Sequence, residues 1–102
     1  MTLSILDTSH LTSFSSERPL PTPLLDTGKV QTLLLNLEAG QSVSPCQMPS
    51  TVLYYVIEGQ GHLRVEEERG SLETGSLAVV PPGATRSISA ETRMRILAVQ
   101  IP

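Results

Sequence analysis

One thiol, two imidazoles and a run of three carboxylates stand out as groups that could do chemistry. Cys46 is the only cysteine, and His10 and His62 are the only histidines. A thiol and an imidazole make a nucleophile and its base when the fold brings them together. The local pattern keeps them apart. Polar and apolar residues alternate from His62 to Glu67; with Leu63 and Val65 facing inward, His62 and Arg64 face out. His10 lies in a Ser/Thr-rich stretch ahead of any regular segment. Cys–His catalysis is therefore not expected. Glu66-Glu67-Glu68 reads as a solvated hairpin tip that discourages strand-to-strand association. Arg93 and Arg95 are available to pair with such acids.

The chain around these groups has 102 residues, with 7 Lys+Arg against 10 Asp+Glu and a net charge of −3. That is enough for one compact domain. The acidic balance argues against nucleic acid as a partner, because phosphate binding wants a concentrated basic surface. A single cysteine makes no internal disulfide. The run Val52–Ile57 falls far short of the roughly 18 apolar residues of a membrane helix. The start MTLSILDTSH has neither a basic n-region nor an apolar h-region, so no signal peptide is expected. The expectation is a cytoplasmic domain with no membrane partner.

Two regions differ in character. Residues 1–28 form an arm, Ser/Thr-rich and then spaced by Pro19, Pro21 and Pro23. Asp7 or Thr8 can cap a short helix through His10, Leu11 and Phe14. The prolines lack an N–H, so the rest of the arm is an edge strand or packed coil. Residues 29–102 read as short β segments separated by glycine. Val30–Leu37, Val52–Ile57, His62–Glu67, Ser71–Glu73, Leu77–Val80, Thr85–Ser89 and Met94–Ile101 are predicted strands, with turns at Glu58–Gly61, Arg69-Gly70 and Pro81–Gly83. Gly59, Gly61, Gly75 and Gly83 fall where the chain reverses and positive φ is needed. This spacing predicts an all-β sandwich or barrel. Val52, Tyr54 and Val56 share one face of their strand and Leu53, Tyr55 and Ile57 the other. A small barrel has one interior, so the second apolar face needs cover. The expectation is a two-fold homodimer.

Gly40, Pro45-Cys46-Gln47-Met48 and Val52-Leu53-Tyr54-Tyr55-Val56-Ile57-Glu58-Gly59-Gln60-Gly61 together resemble the first motif of the cupins, G-x5-H-x-H-x3-E-x6-G. Gly75 to Val80, Pro81-Pro82-Gly83 and Ala84-Thr85-Arg86 resemble the second, G-x5-P-x-G-x2-H. The resemblance covers residues 30–101. It implies the cupin double-stranded β-helix, a jelly-roll barrel of RmlC-like type, carrying here an N-terminal arm, and it implies a dimer. Cupin metal sites use three His and one Glu. At those four positions this chain carries Cys46, Met48, Val52 and Arg86. Valine does not ligate, and arginine stays protonated and repels a cation. Cys and Met alone would suit only a soft ion such as Cu(I). No metal and no cofactor are expected.

The resemblance places Arg86 at the barrel mouth. There it must meet a protein carboxylate, reach water at the rim, or bind an anionic ligand. Tyr54, on the inward face with Val52 and Val56, needs a partner for its hydroxyl. Cys46, Met48, Val52, Tyr54 and Arg86 are thus the candidate pocket residues. The first functional reading is a metal-free cupin that binds or senses a small, anionic molecule inside the barrel. The alternative is a cupin-type enzyme, of isomerase, decarboxylase or dioxygenase class, acting on a small organic acid with Tyr54 or Cys46 as its reactive group. A third is an interaction protein working through its dimer surface.

Overall fold

The computed structural model describes residues 3–102. Nine strands follow in order: β1 (Leu20–Asp26), β2 (Gln31–Leu37), β3 (Ser42–Cys46), β4 (Thr51–Glu58), β5 (Gly61–Val65), β6 (Glu68–Leu72), β7 (Leu77–Val80), β8 (Arg86–Ala90) and β9 (Met94–Ile101). They form two antiparallel sheets, β1-β2-β9-β4-β7 and β3-β8-β5-β6. The sheets pack face to face in the jelly-roll arrangement. No helix among the described residues is long and apolar enough to cross a membrane.

The core follows from period-2 alternation. On β4, Val52, Tyr54 and Val56 are buried; on β9, Met94, Ile96 and Ala98 are. The register sets Tyr54 beside Ala98 and Val56 beside Ile96, and Leu35 beside Ile96 and Leu37 beside Met94. The second sheet contributes Leu63 and Ile88, direct cross-strand partners.

Strand β3 lies where no strand was predicted. Its sequence, SVSPC, offers one large apolar residue, and Pro45 argues against pairing on both sides. As an edge strand β3 pairs with β8 alone, so the missing N–H is tolerated. The turn predicted at Arg69-Gly70 is instead strand, and the chain reverses at Glu66-Glu67. Glu66 takes φ 52°. Two hydrogen bonds hold it there: its N–H donates to the Thr85 carbonyl at 2.9 Å, and its carboxylate accepts from the Thr85 N–H at 3.0 Å. Glu68 then starts β6 rather than extending the tip.

The arginines of β9 and the turn before it also find other acids. Arg93 bonds Glu38 at 2.6 Å, and this guanidinium holds the Glu38 carboxyl below the usual carboxylate range. Arg95 lies 3.9 Å from Glu58.

The N-terminal arm forms only one short 3-10 turn, Thr8–His10, with the Asp7 carboxylate accepting from Ser9 N–H. The turn stops at His10, short of Leu11 and Phe14, and buries no residue. The turn and the arm beyond it are strapped down through their own carbonyls. Thr8 accepts from Arg95, Leu11 and Ser13 from Asn36 at 3.0 and 2.9 Å, and Ser15 from Gln41 at 2.7 Å. Arg93 stacks over the Phe14 ring at 4.3 Å. Backbone carbonyls carry no side-chain pattern, so this docking leaves no periodic signal in the sequence. The Pro-spaced segment then becomes β1, an edge strand on β2.

Candidate functional site

The two sheets part between the edge strands β1 and β3, and a pocket of about 420 Å³ opens there. Leu33 and Leu35 of β2, Val43 and Cys46 of β3, Val52 and Tyr54 of β4 and the loop residue Met48 are among its wall residues. On β2 and β4, alternation turns each of these residues inward. Cys46 is exposed and unpaired.

Arg86 lies deeper than the mouth. It alternates inward on β8 with Ile88 and Ala90 and is only 2% exposed. The snorkelled position at the rim is not adopted, because the side chain projects from β8 into the space between the sheets, where Tyr54 of the opposite sheet meets it. Its cross-strand neighbours are Cys46 and Val65. Its Nε donates to the Ala84 carbonyl at 3.1 Å. Its Nη1 lies 3.5 Å from the Tyr54 hydroxyl, a long contact. Its Nη2 is buried with no hydrogen-bond partner, and no carboxylate among the described residues pairs with it. The structure thus brings Cys46, Met48, Val52 and Tyr54 into the lining of one pocket but not Arg86, which was expected there and only touches Tyr54 and pairs across from Cys46.

The wall also holds residues that sequence reasoning did not reach: Arg18 and Pro19 from the arm, Ser44, and Gln100 near the end of β9. Arg18 arrives only because β1 pairs with β2, a contact between distant segments that no local pattern announces. Gln100 could have been found from the alternation of β9, which puts it on the face of Met94, Ile96 and Ala98.

The cupin metal positions can be tested on the donors present. Cys46 and Met48 offer soft sulfur, Val52 offers nothing, and the fourth position holds a fixed cation. This set does not fit a divalent metal. No cluster of three His, Cys, Asp or Glu side chains able to hold one exists among the described residues. The histidines lie elsewhere. His62 faces outward from β5, its Nδ1 3.2 Å from Glu91. His10 stands exposed on the arm, 3.5 Å from Asp7.

A second cavity, of about 380 Å³, opens between β6 and β7, lined by Leu63, Val65, Glu68, Arg69 and Leu72 among others. Glu68 gives it an acid that the first pocket lacks.

Comparisons with known proteins agree with this architecture. The TT1209 protein from Thermus thermophilus superposes with a TM-score of 0.92 at 27% identity, covering 98% of each chain. An RmlC-like cupin protein from Desulfovibrio desulfuricans gives a TM-score of 0.91 at 16% identity, over 99% of this chain and 98% of its own. A salicylate 1,2-dioxygenase from Pseudoaminobacter salicylatoxidans, in its G106A mutant form, gives 0.78 at 21% identity, over 87% of this chain and 28% of the longer enzyme. The last two likenesses show the fold alone. No curated protein matches significantly. The Cupin domain family model matches residues 33–100, the span from β2 through β9 that carries both glycine-proline motifs and most of the wall of the pocket, and the chain therefore belongs to the cupin family.

Proposed function

We propose that this cupin is a binding or sensing module for a small anionic molecule held in the pocket beside β3 and β4. The observation that supports it is Arg86: a buried guanidinium beside the pocket-lining Tyr54, with no carboxylate partner and its Nη2 unmet. A charge so placed is costly, and a ligand carboxylate, approaching past Tyr54, would offset that cost. Arg suits a carboxylate because its planar fork can donate two parallel bonds. The test is titration calorimetry with hexanoate and benzoate. Saturable one-site binding is expected, weakened about ten-fold in Tyr54→Phe, the usual effect of losing one hydrogen bond to a charged group. Absence of binding, or binding indifferent to Tyr54→Phe, would overturn the proposal.

An enzymatic reading is supported by one contact, the Tyr54 phenol facing the Arg86 cation, where it could serve as an acid or base toward a small organic acid. Turnover of such an acid, lost in both Cys46→Ala and Tyr54→Phe, would favour catalysis over binding alone.

We also propose a homodimer. The outer face of the β1-β2-β9-β4-β7 sheet presents Leu77 at 66%, Val79 at 60% and Tyr55 at 43% exposure. Cross-strand pairing extends that face with Leu53, Leu97 and Val99, and no charge interrupts these six residues. A second copy would cover it with the same face, as two-fold symmetry requires. Sedimentation equilibrium should give twice the 11.0 kDa chain mass, and Val79→Lys should give the single chain. A monomeric native protein would refute this.

A further inference from the structure

One cation, Arg18, lines the pocket, and a second, Arg86, lies outside its lining and touches it only through the Tyr54 hydroxyl. Arg18 reaches the lining from just ahead of β1 in the arm. Like Arg86, it forms no ion pair with any carboxylate among the described residues. No Asp or Glu lines this pocket, although acids outnumber bases in the chain, 10 to 7. The wall is apolar at Leu33, Leu35, Val43, Met48 and Val52, and Ser42, Ser44 and Gln100 add uncharged polar groups.

The register separates the two ends. Tyr54 stands level with Ala98, and Ala98 with Leu33, whereas Leu20 stands level with Asn36. Asn36 lies three residues along β2 from Leu33, roughly 10 Å at strand rise, and Arg18 precedes Leu20 on that side. Arg18 therefore joins the wall several residues along the sheet from Tyr54, on the side away from Val52 and Gln100. A ligand that meets both ends must span that separation.

From this we infer that the ligand is a dicarboxylate with an apolar spacer, its inner carboxylate directed at Tyr54 and Arg86 and its outer one at Arg18. The inference rests on the anion-binding reading above and adds Arg18 as the residue that sets specificity. A monocarboxylate fills only the inner end and leaves Arg18 to solvent. A dicarboxylate too short to span the wall gains nothing over its monocarboxylate counterpart.

The experiment is calorimetry with three matched pairs: succinate and butyrate, adipate and hexanoate, suberate and octanoate. Adipate or suberate should bind at least about ten-fold more tightly than its monocarboxylate partner, the value of one added charge-assisted hydrogen bond. Succinate should show no such preference. In Arg18→Ala, an exposed position where folding is not at stake, the preference should fall to within about two-fold. If long dicarboxylates and monocarboxylates bind equally to the native protein, or if the preference survives in Arg18→Ala, the role of Arg18 is refuted while anion binding stands. If none of the six acids binds, both readings fall together.

Discussion

Arg86→Met should make the unliganded protein more stable, by about 2 kcal/mol, and raise its Tm by roughly 10 °C. Most substitutions at a fully buried position do the opposite. The sign follows from the environment of the guanidinium. It is 2% exposed, it has a good bond only to the Ala84 carbonyl, and its Nη2 donates to nothing. Methionine is flexible enough to occupy the same space without the desolvation cost. The lost bond to Ala84 offsets part of the gain. The same variant should lose carboxylate affinity on the order of 100-fold. Thermal melts in low-salt buffer, paired with calorimetry, read both quantities. A variant that melts lower than the native protein would mean that Arg86 is a structural residue satisfied in the free state, and the anion site would lose its main support.

Gly61→Ala should cost more than about 3 kcal/mol and lower the Tm by roughly 15 °C or prevent folding. A Cβ built at Gly61 lies 2.1 Å from the Ser89 carbonyl oxygen and 2.6 Å from the Met94 sulfur. The sulfur could move, but the carbonyl belongs to β8, held by β3 and β5 on either side. The glycine was expected for positive φ, yet Gly61 does not have it. Its requirement is close approach between strands. Gly59 needs both properties, with φ 102° and a Cβ position 2.2 Å from the Arg93 carbonyl oxygen. Gly70→Ala is the control, since an added Cβ there meets nothing within 4 Å, and its Tm should stay within a few degrees. Equal melting of Gly61→Ala and Gly70→Ala would refute the packing argument.

The particular residues show which parts of this protein are local. The inward set Val52, Tyr54 and Val56 and the set Met94, Ile96 and Ala98 were legible because strand periodicity is a property of neighbouring residues. So were the outward placement of His62 and the family frame of glycines and prolines. The turn at Glu66-Glu67 was not, because the backbone of Thr85, nineteen positions away in the chain, stabilises it. Strand β3 was hidden by its own polarity and by Pro45, which only an edge position tolerates. The exchange of acid partners has the same origin: Arg93 meets Glu38 across a separation of 55 residues.

The division runs through the pocket as well. By itself the sequence determined the fold class, the faces of the central strands and the unsuitability of Cys46, Met48, Val52 and Arg86 for a divalent metal. Each of these depends on residue type and spacing. Tertiary structure alone decided that Arg86 is buried without a counter-ion outside the pocket lining, that Arg18 lines the pocket, and that no acid lines it. Charge balance at a site is a sum over groups contributed by β2, β4, β8 and the arm, and such a sum exists only once sheet pairing has brought those segments together.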